Sequence, residues 1–156
     1  MFDEGQEPAP CSLTGEMFTM DENGSGSEEE TAIRNIVEDW ASAVRERNLP
    51  AVLRHHSPDI LMFDVPPPFQ SKGIEAYRKT WDLFFSCAPD PAVFDIKEMQ
   101  VIAGRDVAFV TAAMRCTERE AGGEDVELDF RLTIGLHKVD GKWLIVHEHH
   151  SVPAAE

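Results

Sequence analysis

The residues of this chain best suited to proton transfer are one aspartate and two histidines. Asp64 follows a short apolar run that ends in Phe63, and apolar surroundings raise the proton affinity of a carboxylate toward that of a useful base. His147 and His149 stand two positions apart in a strand-like segment, so both side chains leave one face about 7 Å apart. This spacing predicts a proton relay with Asp64, or two ligands of a metal ion whose third ligand is that carboxylate.

Arg131 is the fourth candidate for a catalytic role. A guanidinium on a pocket wall needs a carboxylate partner, either Asp64 or a carboxylate carried by an anionic substrate. Each candidate also has a structural alternative: Asp64 as a loop cap, the histidines as hydrogen-bonded wall residues and Arg131 as a fixed ion pair. We therefore predict Asp64, His147, His149 and Arg131 as catalytic residues, with these structural roles as the alternatives.

Composition limits the class of protein. The chain has 156 residues, 42% of them apolar, and 29 acidic against 14 basic residues give a formal net charge of -15. This length suits one domain, and this charge disfavours nucleic acid and anionic membranes as partners. Cys11, Cys87 and Cys116 fit neither a disulfide framework nor a metal motif. With no export signal and no apolar run of about 20 residues, we expect a cytoplasmic protein.

The order of elements predicts helices first and strands second. Residues 1–27 are rich in Gly, Pro, Ser and acids and are expected to form a flexible leader to a domain at 28–153. A helix of about 19 residues is predicted from Glu28, a short second helix after its cap Asn48, a strand at 60–64, and a third helix at about 72–85. Four further strands are predicted at about 93–103, 107–118, 126–139 and 142–151.

Three helices followed by an antiparallel meander predict an α+β fold, in which the helices cover one face of a curved sheet. Both kinds of element then bury their apolar sides in a single core, and a sheet closed by helices leaves a pocket. The side chains predicted to line this pocket and contact a substrate are Trp40, Phe63, Tyr77, Trp81, Phe85, Met114 and Thr133.

The last hairpin decides which face of the sheet lines the pocket. If Gly141 follows a type I turn in the left-handed conformation, Thr133 pairs with His147 and Arg131 with His149. A two-residue type I′ turn at Asp140-Gly141 would shift this pairing by one. We adopt the first register, which makes the face with Arg131, Thr133 and both histidines the pocket wall.

The opposite face is then expected to be apolar and to be buried in a homodimer. Its residues would be Leu132, Ile134, Leu136, Leu144 and Val146. Glu148 and His150 would lie on the surface or at the edge of that dimer.

These features resemble a known family, the SnoaL-like, ketosteroid-isomerase-like branch of the nuclear transport factor 2 (NTF2-like) superfamily. The resemblance covers about residues 28–153 and implies a cystatin-like cone of three helices on a curved, mostly antiparallel sheet. Besides the order of elements, it rests on Phe63-Asp64, Pro66-Pro67, Gly73, Tyr77, Trp81, Asp140-Gly141-Lys142-Trp143 and the ending His147-Glu148-His149-His150-Ser151-Val152-Pro153.

The resemblance also bears on the site. Asp64 matches the position of the ketosteroid isomerase base, whereas Trp40 and Gly135 stand where those enzymes carry their Tyr and protonated Asp oxyanion donors. A steroid isomerase is therefore not expected. SnoaL-like relatives often line the pocket with an Arg and with His residues from the last two strands, which Arg131, His147 and His149 resemble.

The function predicted from these observations is a cofactor-independent isomerase, cyclase or dehydratase. Asp64 would move a proton next to a carbonyl, while Arg131, His147 or His149 hold the developing charge. One alternative is a non-catalytic ligand-binding or dimeric association module, and another is a metal-dependent enzyme using Asp64, His147 and His149. The sequence has no Gly-rich phosphate loop, nucleophile elbow or HExxH motif, so nucleotide hydrolysis, serine hydrolysis and zinc proteolysis lack support.

Overall fold

The first helix packs a continuous apolar stripe into the core. The structure, a computed structural model, describes residues 25–155, and their side chains from residue 28 onward. Helix α1 (Ser25–Arg45) buries Ile33, Val37, Trp40 and Val44, which recur at three- and four-residue spacing. It begins three residues before the predicted start, and residues 1–24 of the predicted leader lie outside the described part of the chain.

Two further helices follow as predicted. In α2 (Leu49–Val52), the Asn48 side chain accepts a hydrogen bond from the Ala51 N–H at 3.3 Å, which confirms the predicted cap. Helix α3 (Ile74–Cys87) buries Tyr77 and Trp81. Of the helices in the described part, none has both the length and the apolarity needed to cross a membrane.

One six-stranded sheet forms the rest of the domain. Its order is β2-β1-β6-β5-β4-β3, and every neighbouring pair is antiparallel except β1 with β6, which is parallel. The α+β class is confirmed, and the four meander strands agree with the predicted ranges to within a residue. The two-residue strand β2 was not predicted. The strands are β1 (His56–Phe63), β2 (Ser71–Lys72), β3 (Phe94–Ala103), β4 (Val107–Arg119), β5 (Asp125–Val139) and β6 (Lys142–Ser151).

The turn between β5 and β6 is the two-residue type, and the adopted register is wrong. Asp140 and Gly141 have φ of 50° and 78°, the two positive values that a type I′ turn requires. Val139 pairs with Lys142, and the ladder changes register between Leu136, which pairs with Ile145, and Gly135, which pairs with His147. Val146 is therefore an extra residue that forms a β-bulge.

Beyond the bulge, the pairing differs from the predicted one by two positions. Thr133 lies opposite His149, and Arg131 lies opposite Ser151. A shift of two preserves the face on which a side chain lies, so Arg131, Thr133, His147 and His149 do share one face, as predicted. This is the outer face of the sheet, however, and not the wall of a pocket.

The apolar face of β5 points toward the helices, contrary to the prediction of an exposed dimer patch. Leu132, Ile134 and Leu136 are buried in one core cluster with residues of α1 and α3. Burying each such side chain stabilises the fold by about 1.5 to 3 kcal/mol. The apolar face of β5 therefore packs against the helices. The apolar residues of β6 buried on this inner face are Trp143 and Ile145, because the two-residue turn pairs Leu136 with Ile145 and so moves the predicted Leu144 and Val146 off this face.

Candidate functional site

A cavity of about 260 Å³ opens beside α3, where β1 ends and the inner face of the sheet is left uncovered. This volume lies just below the usual range of about 300 to 1,000 Å³ for ligand sites, so the cavity suits a small molecule. Its wall is largely apolar and aromatic, including Met62, Trp81, Phe84, Phe94, Leu128 and Phe130. Its ionisable lining residues are Asp64, Cys87, Cys116, Glu118, Arg119 and His150.

His150 lies on the inner face of the sheet, and its ring lines the cavity. The ring stacks on Phe130, with centroids 5.3 Å apart and an angle of 18°, and meets Trp40 and Trp81 edge-on. Its Nε2 lies 3.2 Å from a carboxylate oxygen of Glu148. Packing and this hydrogen bond together fix the orientation of the imidazole.

Glu148 is the fully buried centre of a polar network. Its Oε1 accepts hydrogen bonds from the Nε2 of His56 at 2.7 Å and from the hydroxyl of Tyr77 at 2.8 Å, while Oε2 faces His150. Burial raises the pKa of Glu148, but hydrogen bonds from His150 and His56 outweigh this effect and hold the pKa at about 2. Glu148 is therefore an ionised carboxylate in the protein interior.

His56 supplies the positive charge that this carboxylate needs. Its Nδ1 lies 2.9 Å from the backbone carbonyl oxygen of Arg54, and its Nε2 faces the ionised Glu148. Both partners only accept hydrogen bonds, so both ring nitrogens carry a proton and His56 is an imidazolium. The pair of His56 and Glu148 is thus neutral as a whole, which makes its complete burial tolerable.

The same accounting places a proton on one ring nitrogen of His150. Because Glu148 only accepts, the Nε2 of His150 carries a proton and donates it to that carboxylate. In the neutral ring the lone pair then lies on Nδ1, whose nearest charged neighbour is the Oδ1 of Asp64 at 3.9 Å. The arrangement is a base on the cavity wall oriented by a buried carboxylate behind it.

Two predicted substrate contacts, Trp40 and Tyr77, belong to this network and do not line the cavity. The indole N–H of Trp40 donates to the Tyr77 hydroxyl at 3.1 Å, and that hydroxyl donates onward to Glu148. The indole N–H of Trp81 lies near the same hydroxyl but makes no hydrogen bond of good geometry. Burial and the charge of Glu148 raise the pKa of Tyr77, so the phenol stays protonated as a donor.

Asp64 lies at the mouth of the cavity, directly after β1. Its side chain is 19% exposed, and its Oδ1 accepts a hydrogen bond from the Val65 N–H at 2.8 Å. This position is compatible with the predicted role in proton transfer and with the alternative of a loop cap.

The other predicted catalytic residues lie on the outer face. His147 places its Nδ1 2.7 Å from the carbonyl oxygen of Leu61, and His149 is exposed. Arg131 is exposed as well and donates through Nε to the Ser151 hydroxyl at 3.1 Å. The prediction that these three side chains line the pocket together with Asp64 is wrong, because the sheet separates them from it.

Because of this separation, Asp64, His147 and His149 do not meet around one point, as the alternative of a metal-dependent enzyme required. Asp64 lies on the cavity side, whereas His147 and His149 flank the ring of Phe63 on the outer face, with centroids 4.9 and 5.3 Å from it. Within residues 25–155, no group of three His, Cys, Asp or Glu side chains is placed to hold a metal ion.

The remaining predicted contacts are divided between the cavity, the core and the surface. Trp81 lines the cavity as predicted. Phe85 packs on Trp81 without lining the cavity, and Met114 is buried in the core. Thr133 is exposed on the outer face, and Phe63 is half-buried.

Sequence reasoning missed His150, Glu148 and His56. One available signal was the apolar alternation of β5, which should have been assigned to the helix-covered side because the helices need an apolar partner. Residues sharing that side of β6 would then have been site candidates. Nothing in the sequence around His56 distinguished it.

Comparison with known proteins agrees with this fold. A family model described as SnoaL-like domain matches residues 33–155. No curated protein matches the chain significantly.

Solved structures share the same architecture. An NTF2-like protein of unknown function from Pseudomonas putida KT2440 is 30% identical, with a TM-score of 0.74 over 83% of this chain and 89% of that chain. A ketosteroid isomerase-like protein from Erwinia carotovora atroseptica SCRI1043 is 22% identical, with a TM-score of 0.69 over 82% and 98%. The association domain of C. elegans CaMKII is 20% identical, with a TM-score of 0.66 over 83% and 100%. The last two similarities show the fold alone.

Proposed function

Because this chain belongs to the SnoaL-like domain family of NTF2-like proteins, we propose that it transfers a proton on a small carbonyl compound, with His150 as the base and Asp64 beside it. The family fold is consistent with an isomerase-type small-molecule pocket protein. The observation that carries the finer proposal is the Nδ1 of His150, which has no hydrogen-bond partner on the cavity wall while Glu148 holds Nε2.

The proposed step uses this geometry directly. Nδ1 of neutral His150 takes a proton from the carbon next to the substrate carbonyl, and the electron pair of that C–H bond moves into an enolate. The resulting imidazolium lies between the carboxylates of Glu148 and Asp64, which stabilise its charge. Returning the proton to another carbon completes an isomerisation, and returning it to a departing hydroxyl completes a dehydration.

The cavity wall favours a neutral or positively charged substrate. The anionic substrate suggested by Arg131 loses its basis, because that guanidinium lies on the outer face. The remaining lining is mostly apolar and aromatic, with carboxylates at Asp64 and Glu118. A small aromatic or alicyclic ketone fits this environment better than a carboxylic acid does.

Hydrogen exchange at an activated carbon tests the proposal. The protein is expected to accelerate exchange of the CH₂ protons of 2-tetralone in D₂O, followed by NMR against buffer alone. His150→Gln keeps an N–H donor for Glu148 but removes the base, and should reduce the protein-catalysed rate about 10²- to 10⁴-fold. His149→Gln is the matched control, because the same substitution on the outer face of the same strand should leave the rate unchanged.

Two results would count against the proposal. Equal rates for the two variants would remove His150 from the reaction. No acceleration by the wild-type protein of 2-tetralone, cyclohexanone or acetylacetone, combined with thermal stabilisation by one of them, would favour the alternative of a non-catalytic binding module.

We also propose that the outer face of the sheet forms a homodimer. The predicted apolar patch is buried in the core, but Ile102, Val107 and Phe109 are 57%, 61% and 45% exposed. Ile102 and Phe109 are direct neighbours across β3 and β4, so they form one apolar strip. The shared fold of the CaMKII association domain makes self-association plausible for this scaffold.

Sedimentation velocity tests the dimer. Phe109→Glu should convert a dimer into a monomer, whereas Leu83→Glu, at a similar exposure of 48% on α3, should not. A wild-type protein that sediments as a monomer at 100 µM would contradict the proposal.

We retain the cytoplasm as the proposed location. Cys87 and Cys116 are both free thiols in the described part of the chain, which is the usual state of cysteine in a reducing compartment. Cell fractionation would test this, and recovery in a secreted or membrane fraction would contradict it.

A further inference from the structure

The charges around the cavity are unbalanced. Among the described residues that line it, Asp64 and Glu118 are carboxylates, and neither has a Lys or Arg within salt-bridge distance. Arg119 is the one Lys or Arg in that lining, and its Nε is already 3.0 Å from a carboxylate oxygen of Asp125. The mouth of the cavity therefore carries negative charge that the protein itself does not neutralise.

The buried thiol of Cys116 lies in the cavity wall under the influence of the same carboxylates. Burial raises the pKa of Cys116 to about 12, and the charges of Glu118, Asp64 and Asp129 all act in the same direction. No positive charge is among these influences. The charges that act on Cys116 thus include Asp64 and Glu118, the two carboxylates that line the cavity.

Aromatic rings form much of the wall between these charges. Trp81 lies with its centroid 5.6 Å from those of Phe84 and Phe94, and Phe94 lies 5.8 Å from Phe130. The faces of aromatic rings carry partial negative charge and attract organic cations, most strongly where water is excluded. The wall and the mouth thus favour the same sign of ligand charge.

His150 is an independent sign that the cavity is shaped for a ligand. Its side chain is 7% exposed, and among the described residues its Nδ1 makes no hydrogen bond, since the Oδ1 of Asp64 is 3.9 Å away. This nitrogen lies at the cavity and can accept a hydrogen bond or a proton from a bound molecule.

We infer that the cavity binds a small amine in its protonated form, with an aromatic or alicyclic body against the rings and the ammonium group at the mouth beside Asp64 and Glu118. This inference rests on the proposed function only in using the same cavity, and it narrows the substrate class to an amine that also carries a carbonyl group. It excludes carboxylates and phosphates as preferred ligands.

Calorimetric titration of the full chain with three probes of similar shape tests the inference. The probes are 2-phenylethylamine, 2-phenylethanol and 3-phenylpropanoate, which are positive, neutral and negative at pH 7. The amine should bind about tenfold more tightly than the alcohol, and the acid should bind most weakly. This preference should shrink between 0.02 and 0.5 M salt, because exposed charges are screened.

Variants that remove one carboxylate at a time test whether Asp64 and Glu118 cause the preference for the amine over the alcohol. Asp64→Asn and Glu118→Gln should each reduce the advantage of the amine over the alcohol severalfold, without changing the affinity for the alcohol. Glu127→Gln is the control, because this carboxylate lies 3.9 Å from Arg115, does not line the cavity and should leave the order unchanged.

The outcomes separate this inference from the proposed function. Equal binding of amine and alcohol, or tightest binding of the acid, would overturn the amine inference even if the protein accelerates exchange on 2-tetralone. A preference for the amine that disappears in both variants would support it even if no exchange is found.

Discussion

The last strand of the sheet carries two histidines with opposite surroundings. His150, on the inner face, is 7% exposed and bonds to the buried Glu148 while stacking on Phe130. His149, one residue away on the outer face, is exposed and has ring contacts with Phe63 and His147. The residue type and strand are the same, and only the side of the sheet differs.

The difference shows that burial can hold polar side chains in one defined arrangement. A buried carboxylate must be satisfied by donors, because its desolvation is otherwise too costly. Glu148 therefore fixes the rings of His56 and His150 and the hydroxyl of Tyr77 in single orientations. On the exposed face, water can satisfy the ring of His149 in many orientations, so burial does not fix that side chain in one geometry.

Removing the inner carboxylate is expected to have the largest effect on stability. Glu148→Gln leaves the His56 imidazolium without its counter-charge and should lower the free energy of unfolding by about 3 to 5 kcal/mol. Urea denaturation followed by tryptophan fluorescence would measure this. Glu127→Gln on the exposed part of β5 should cause no measurable change. A loss below about 1 kcal/mol for Glu148→Gln would mean that the ion pair is not buried as described.

Lowering the pH should reduce the free energy of unfolding through the buried carboxylate of Glu148. The folded-state pKa of Glu148 is about 2, against an ordinary value of 4.5. A depressed carboxylate pKa contributes stability above about pH 4.5, and this contribution, about 3 kcal/mol, is lost as the pH falls toward 2. Urea denaturation between pH 5 and 2.5 should show a shallower decline for Glu148→Gln than for the wild type. Parallel curves would contradict the assignment of this pKa.

The Tyr77 hydroxyl should contribute less to the free energy of unfolding than Glu148, the carboxylate to which it donates. Tyr77→Phe removes one donor from Glu148 and leaves the buried N–H of Trp40 without an acceptor, at a cost of about 1 to 3 kcal/mol. A double-mutant cycle with Glu148→Gln, monitored by thermal unfolding, should give a coupling above about 0.5 kcal/mol. Thr133→Ala on the outer face should be additive with Glu148→Gln, and a coupling of similar size there would erase the contrast between the faces.

Much of the fold could be predicted from local sequence patterns. The Asn48 cap, the apolar stripe of α1 and the four meander strands follow from spacing and turn residues, which act over a few positions. The site could be predicted only in part. Asp64 and Trp81 do line the cavity, because a strand end and a helix position were enough to place them. His56, Glu148 and His150 were missed because they meet through contacts between β1 and β6, whose parallel pairing has no local signature.

The sequence by itself determined that Arg131, Thr133, His147 and His149 share one face, since side chains alternate along a strand, but it did not determine the faces of Leu144 and Val146, which depend on the turn and the bulge. Tertiary structure alone decided which face is inside. That choice depends on where α1 and α3 bury their apolar sides and on the bulge at Val146, which brings Glu148 and His150 to the same side as Leu132 and Ile134. The candidate site therefore lies on the inner face. Burial on the helix-covered side pairs Glu148 with its two histidines and leaves one nitrogen of His150 open to the cavity.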